Sequence, residues 1–318
     1  MDKTRPVDSY FICDAHADTL SRGVKKRSDL YDFPEAQLDL RRLEESGVRL
    51  QFFAVFVNPA QNPAGEKKPY LEQIDYYREQ LIKHRKRLKP VLSSDDLPTP
   101  SSPFLVHSLL SVEGGECLEG QVYNLDLLYE QGVRSLGLTW NYNNQLGHGA
   151  SDRSGQGLTG FGRRVIAAMN NRGMLVDAAH LSEATFWETL DRSEVPIIVS
   201  HSCCRALNDH PRNLSDRQME ALAGRGGLMG ITLVNDFLGE EPGVERFIDH
   251  IIHAVRVMGP EHVAIGSDFD GVEVPVPGLE DASRLPSIAT GMLRRGIRAE
   301  TAAQVLGGNL LRLLGSII

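Results

Sequence analysis

The chain has 318 residues, 41% hydrophobic and 24% charged, which is enough apolar material for a large core and too much for a disordered or fibrous protein. A net charge of −8 argues against the basic face that nucleic-acid binding needs, and four cysteines without a C-x-x-C pair exclude a disulfide scaffold and a zinc ribbon. No apolar stretch of signal-peptide length opens the chain and none of about 20 residues follows, so the expectation is a cytoplasmic protein with reduced thiols and no membrane span.

Short apolar runs alternate with segments of helical composition. The first run, 11–18 (FICDAHAD), ends on His16 and Asp18. An amphipathic segment at 36–46 leads to the second run, 48–57. A longer one at 70–88 precedes the third run, 104–114, which ends near Glu113; the Pro- and Ser-rich stretch 89–103 between them reads as a surface linker. The fourth run, 133–140, ends on Trp140 and gives way to an irregular segment, 141–159, of the kind that builds substrate loops. Helical segments at 160–173, 182–193, 215–226 and 244–259 then alternate with runs at 174–180, 195–201, 228–234 and 262–268. Three of those runs end on His180, His201 and Asp268. Several helical segments open on Ser and close on Gly, which are start and stop signals.

Strand–helix alternation implies parallel strands joined by crossovers, and eight runs is the number that closes a parallel barrel. The expected fold is α/β: a single (β/α)8 TIM-type barrel domain over residues 1–318, with its active site at the C-terminal ends of the strands. The alternative is a doubly wound open sheet, but no G-x-G-x-x-G follows the first run and no Walker A motif occurs.

On such a barrel His16, Asp18, Glu113, His180, His201 and Asp268 all lie at the mouth. Singly, each has an ordinary reading: a surface pair, a turn carboxylate, a histidine satisfied by loop carbonyls. Together they offer three imidazoles and three carboxylates, donors suited to zinc and similar divalent ions. The other seven histidines fall within helices, strands or loops and read as solvated or structural, with only His148 in a plausible active-site loop. Cys13, Cys117, Cys203 and Cys204 read as small buried hydrophobes.

In order along the chain, the motifs D-A-H-A-D-T, S-V-E-G-G-E, D-A-A-H-L-S, S-H-S, R-N-L-S-D, G-S-D-F-D-G and G-G-N-L-L-R span residues 14 to 312. This ordered set resembles the renal (membrane) dipeptidase family, zinc metallopeptidases of the amidohydrolase superfamily. The resemblance implies two Zn2+ per chain and hydrolysis of dipeptides through a two-metal-activated hydroxide. His16 and Asp18 would ligate one zinc, Glu113 would bridge both and share in catalysis, and His180 and His201 would hold the second. Asp268 matches the catalytic acid/base, and Arg212 matches an arginine that grips the substrate carboxylate. Asn309 reads as a structural turn residue beside its glycines.

One position departs from that pattern. Trp140 stands where the better-known members carry a histidine that contacts the substrate. Two roles follow for it, stacking on the substrate or packing its own loop, and the polar contact would fall to Asn141 or Asn144. The expected function is therefore a zinc-dependent dipeptidase acting on a small dipeptide, without nucleic-acid or membrane partners and with a homodimer implied only by resemblance. The alternatives are a metal-dependent amidohydrolase acting on N-acyl amino acids or another small amide, and an inactive metal-binding protein.

Overall fold

The computed structural model describes residues 10–318; residues 1–9, on which the reading of the N-terminus partly rests, lie outside the described part. Nine strands make one all-parallel sheet: β1 (Ile12–Asp14), β2 (Val48–Phe56), β3 (Leu88–Pro90), β4 (Val106–Glu113), β5 (Val133–Gly137), β6 (Leu175–Asp177), β7 (Ile198–Ser202), β8 (Leu228–Ile231) and β9 (Val263–Ile265). The pairing of β2 with β4 and of β1 with β9 closes eight of them into a barrel. Each of the eight coincides with one of the apolar runs, so the barrel expectation holds.

The barrel strands are buried on both faces, and that is why their sequences are largely apolar rather than strictly alternating. One set of side chains fills the barrel interior: Cys13, Leu50, Phe52, Leu109, Leu175, Ile198, Leu228 and Ala264, joined by Leu310, Leu313 and Leu314. The last three lie on the helix Asn309–Gly315. Asn309 anchors that helix by donating to the carbonyls of Pro260 (2.6 Å) and Val263 (2.8 Å); its role is structural, but from within a helix rather than a turn. The opposite faces of the strands pack against the surrounding helices in a second, larger apolar layer.

Cap residues do what the sequence suggests. Ser182 accepts from the Thr185 amide, Ser215 forms a capping box with Gln218, and Gly173 closes its helix at φ 64°. The linker reading of 89–103 needs correction. Leu88–Pro90 forms β3, the one strand outside the barrel, pairing with Val106–Ser108 at the start of β4, and Val91 is buried. A three-residue strand carries no periodicity of its own, so the Pro and Ser that follow dominated the pattern. All four cysteines are free and buried, and burial pushes the Cys203 thiol up to about 12. Among the described residues no helix is long and apolar enough to cross a membrane.

Candidate metal centre

The six mouth residues reach their positions by different local devices. Glu113 is the last residue of β4 and shares the inward parity of Leu109, two pairs before it. His16 and Asp18 lie beyond β1, whose strand stops at Asp14, so the convergence of their side chains comes from the turn after the strand rather than from strand parity. Asp14 makes that turn: wholly buried, its carboxylate accepts from the Ser267 amide (2.7 Å), the Ser267 hydroxyl (2.6 Å) and Gln51 Nε2 (2.9 Å). It ties β1 to the loop that carries Asp268.

His201 depends on a bulge. The pairing of β7 with β8 runs Ile198–Leu228 and Val199–Met229, then jumps to Ser202–Ile231, leaving one extra residue in β7. Ile198 points into the barrel, so without the extra residue Ser200 would point inward and His201 away. The bulge drives the Ser200 carbonyl toward β8 and β9, where a Cβ on Gly230 or Gly266 would overlap it. Asp177, at the end of β6, accepts from the Ser200 amide at 3.0 Å and from the Ala179 amide at 3.0 Å, bracing both the bulge and the turn that delivers His180.

The side chains converge. Glu113 Oε1 lies 2.6 Å from His180 Nε2, 3.4 Å from His201 Nε2 and 3.9 Å from His16 Nε2. His16 Nε2 lies 3.4 Å from Asp18 Oδ2 and 3.8 Å from Asp268 Oδ1. The two remaining imidazoles bring their Nε2 atoms within 2.8 Å of each other. Two trios have donor atoms within 4.8 Å of one another: His16, Glu113 and His201, and His16, Asp18 and Asp268. Asp268, expected as acid/base alone, thus also stands within ligand reach. It adopts φ 64°, and Asp270 φ 67°, a left-handed conformation uncommon outside glycine but accessible to aspartate. Asp270 is occupied structurally, accepting from Thr19 Oγ1, the Gln37 amide and Arg22.

Burial and mutual repulsion set the charges. Burial raises Glu113 well above the ordinary carboxylate range, against the pull of His16, and raises Asp268 to about 8. For His16 burial works downward, but Glu113, Asp18 and Asp268 outweigh it and lift the imidazole to about 10. His180 and His201 go the other way: burial, with Arg212 and His16 nearby, holds both well below their ordinary value, so they are neutral bases with a lone pair to offer. Asp18 and Glu113, both buried, and the partly buried Asp268 crowd around His16. Among the described residues, the Nε2 of His16 and the Oδ1 of Asp18 are buried with no hydrogen-bond partner. Such an oxygen and nitrogen donor set fits divalent ions.

Arg212 lies beside the same cluster. It is 5% exposed, donates to the Ala179 carbonyl and, at 2.9 Å, to His180 Nε2, and lies 5.2 Å over the Phe237 ring. Trp140 stacks among three rings, with centroids 5.3 Å from Phe56, 5.4 Å from Tyr142 and 5.9 Å from His180. A cavity of about 880 Å³ opens over the cluster, lined by Glu113, Asp268 and His180 at its floor and by Phe56, Trp140 and Phe237 on its walls. Asn141 also borders it, but its Oδ1 is engaged with His180 Nδ1 at 2.9 Å. Asn144 faces away, bonding Glu116 and the Leu138 carbonyl. His148 pairs with Asp152 inside its own loop.

The sequence reading passed over Asp14, Asp177, Ser200 and Gly271. A signal was present for the first two: each is a strand-terminal Asp two or three residues before a mouth histidine, in D-A-H and D-A-A-H.

The chain is similar to known proteins over nearly its whole length. The family described as Membrane dipeptidase (Peptidase family M19) matches residues 3–317. An uncharacterized dipeptidase of Schizosaccharomyces pombe is 34% identical over 294 residues, covering 86% of this chain and 70% of its own. Dipeptidase verJ of Clonostachys rogersoniana is 32% identical over 296 residues, covering 89% and 76%. The crystal structure of a metallo peptidase from Rhodobacter sphaeroides, liganded with a phosphinate mimic of the dipeptide L-Ala-D-Ala, superposes with a TM-score of 0.90 at 25% identity over 97% of this chain and 99% of that one.

Proposed function

The chain belongs to the membrane dipeptidase family and is a metal-dependent dipeptidase, and we propose that it cleaves small dipeptides with two zinc ions bound by His16, Asp18, Glu113, His180 and His201. The observation that carries this reading is the gathering of five donors from four strand ends into one buried cluster, two of their atoms having no hydrogen-bond partner among the described residues. When bound, two divalent ions polarise a carbonyl oxygen and lower the pKa of a water molecule toward neutrality.

The chain's own groups supply the rest. Glu113 Oε1 faces His16, His180 and His201 at once, which suits a carboxylate shared between two ions. Asp268, which lines the cavity floor, takes the proton of the attacking water and returns it to the leaving amine. Arg212 offers its planar fork to the C-terminal carboxylate, a bidentate, charge-assisted contact that orients the substrate before the bond breaks. Hydrolysis of an N-acyl amino acid is the second reading. The aromatic wall of Phe56 and Trp140 favours it, since an apolar acyl group would pack there. We extend the proposal to a reducing, cytoplasmic setting, in keeping with four buried and unpaired thiols.

Protein purified without chelator should contain close to two equivalents of zinc by elemental analysis. It should hydrolyse members of a panel that includes L-Ala-L-Ala, L-Ala-D-Ala and their N-acetylated counterparts. Cleavage confined to N-acylated compounds would install the second reading, and zinc-replete protein inert toward every dipeptide would overturn the first.

A further inference from the structure

Asn141 stands on the loop after β5, beside Trp140, where a substrate contact is the obvious role. Its surroundings point elsewhere. The Ser151 amide donates to its carbonyl at 2.9 Å, and a Cβ on Gly149 would overlap the carbonyls of Trp140 and Asn141, so Gly149 and Ser151 both hold the backbone here. From that fixed backbone the side-chain Oδ1 lies 2.9 Å from His180 Nδ1. A carboxamide oxygen only accepts, so His180 Nδ1 carries the hydrogen. At the other end of the ring Arg212, which only donates, lies 2.9 Å from His180 Nε2, so that nitrogen holds the lone pair. The same nitrogen faces Glu113 Oε1 at 2.6 Å and His201 Nε2 at 2.8 Å.

We propose that Asn141 is a positioning residue for the metal centre: its side-chain oxygen holds His180 in the Nδ1–H tautomer and fixes the ring so that Nε2 presents its lone pair to an ion. The proposal rests on the two-metal reading. A partner on the far nitrogen of a ligating histidine sets tautomer and orientation and raises ligand basicity, and its removal commonly costs about 10–100-fold in metal affinity. Trp140, stacked 5.9 Å from the same imidazole, closes the face of the ring and leaves Asn141 to fix its edge.

The test uses the full-length protein, with Asn141→Leu to remove the acceptor and Asn141→Asp to keep it. Zinc affinity is read by chelator competition, and the Co2+-substituted proteins are compared by visible absorption. Asn141→Leu should bind the weaker-held ion about 10–100-fold less tightly and shift the Co2+ bands, while Asn141→Asp binds as tightly as the parent or more so. With zinc saturating, KM for a dipeptide should stay within about threefold in both variants. Unchanged zinc affinity in Asn141→Leu together with a raised KM would assign Asn141 to the substrate and overturn the proposal. If Asn141→Leu does not fold, a tenfold or greater loss of zinc affinity in well-folded Asn141→Asp would overturn it as well. A parent protein that binds no zinc would sink the metal reading itself, a result separate from either variant's.

Discussion

Gly271 stands against Asp268 with no room for a Cβ: one built there would overlap Oδ1 of Asp268 and Oδ2 of Asp18 together. The glycine is therefore a wall of the donor cluster. Gly271→Ala must push at least one carboxylate off its position. The expected outcome is a folded protein with less than two equivalents of zinc and activity lowered at least tenfold. Full zinc content and parental activity would show that the loop yields at no cost.

Asp268 is within ligand reach of His16 yet is assigned the proton transfer. Asp268→Asn keeps the size and one oxygen while removing the base. It should retain both ions and lose about 10²–10⁴ in kcat, the usual cost of lost acid–base catalysis. Elemental analysis decides the matter: loss of one zinc equivalent would make Asp268 a ligand first.

Arg212 is the cation at the cavity floor, and its reading of a carboxylate is a claim about substrate chemistry. Arg212→Ala should lower kcat/KM for a free dipeptide far more than for the same dipeptide amidated at its C-terminus. Equal losses on both would assign the guanidinium to His180 and the Ala179 carbonyl alone.

Trp140 packs between Phe56 and His180. An aromatic contact is worth about 0.5–1.5 kcal/mol beyond burial, so Trp140→Phe should cost about tenfold at most in kcat/KM. A loss of a hundredfold or more, with zinc retained, would mean that the indole N–H donates to the developing oxyanion.

His250 predicts an acid limit to stability. It is fully buried, accepts from the Cys204 amide at 3.0 Å and donates to the Leu238 carbonyl at 3.2 Å, and burial lowers its pKa to about 4. The unfolded chain takes up this proton near pH 6.5, whereas the folded protein resists it until about pH 4. The stabilisation is therefore complete above about pH 6.5 and is lost as pH falls toward 4, in all roughly 3 kcal/mol. His250→Gln should be less stable than the parent at pH 7.5 but show a shallower decline in Tm between pH 6.5 and 4. Identical slopes would place the acid sensitivity elsewhere.

Much of the molecule was legible in the chain itself because its signals are local. Strands buried on both faces are largely apolar, so eight short runs announced eight barrel strands, and Ser182, Ser215 and Gly173 marked helix ends through bonds to residues a few positions away. The mouth residues were legible for the same reason: a strand end is a place in the sequence, and His16, Glu113, His180, His201 and Asp268 all lie at or just after one.

What only the tertiary structure decided depends on pairs distant in sequence. The inward turn of His201 comes from a bulge that exists only in the register of β7 against β8, and it needs glycines at 230 and 266 because their strands lie beside the Ser200 carbonyl. The burial of Arg212 follows from Ala179 and Phe237, 33 and 25 positions away, which no local pattern links to it. The bond between Asn141 Oδ1 and His180 Nδ1 likewise spans 39 residues. Sequence periodicity reports which face of an element is buried; it carries no record of which partner lies on the other side, and the chemistry of this mouth is made by those partners.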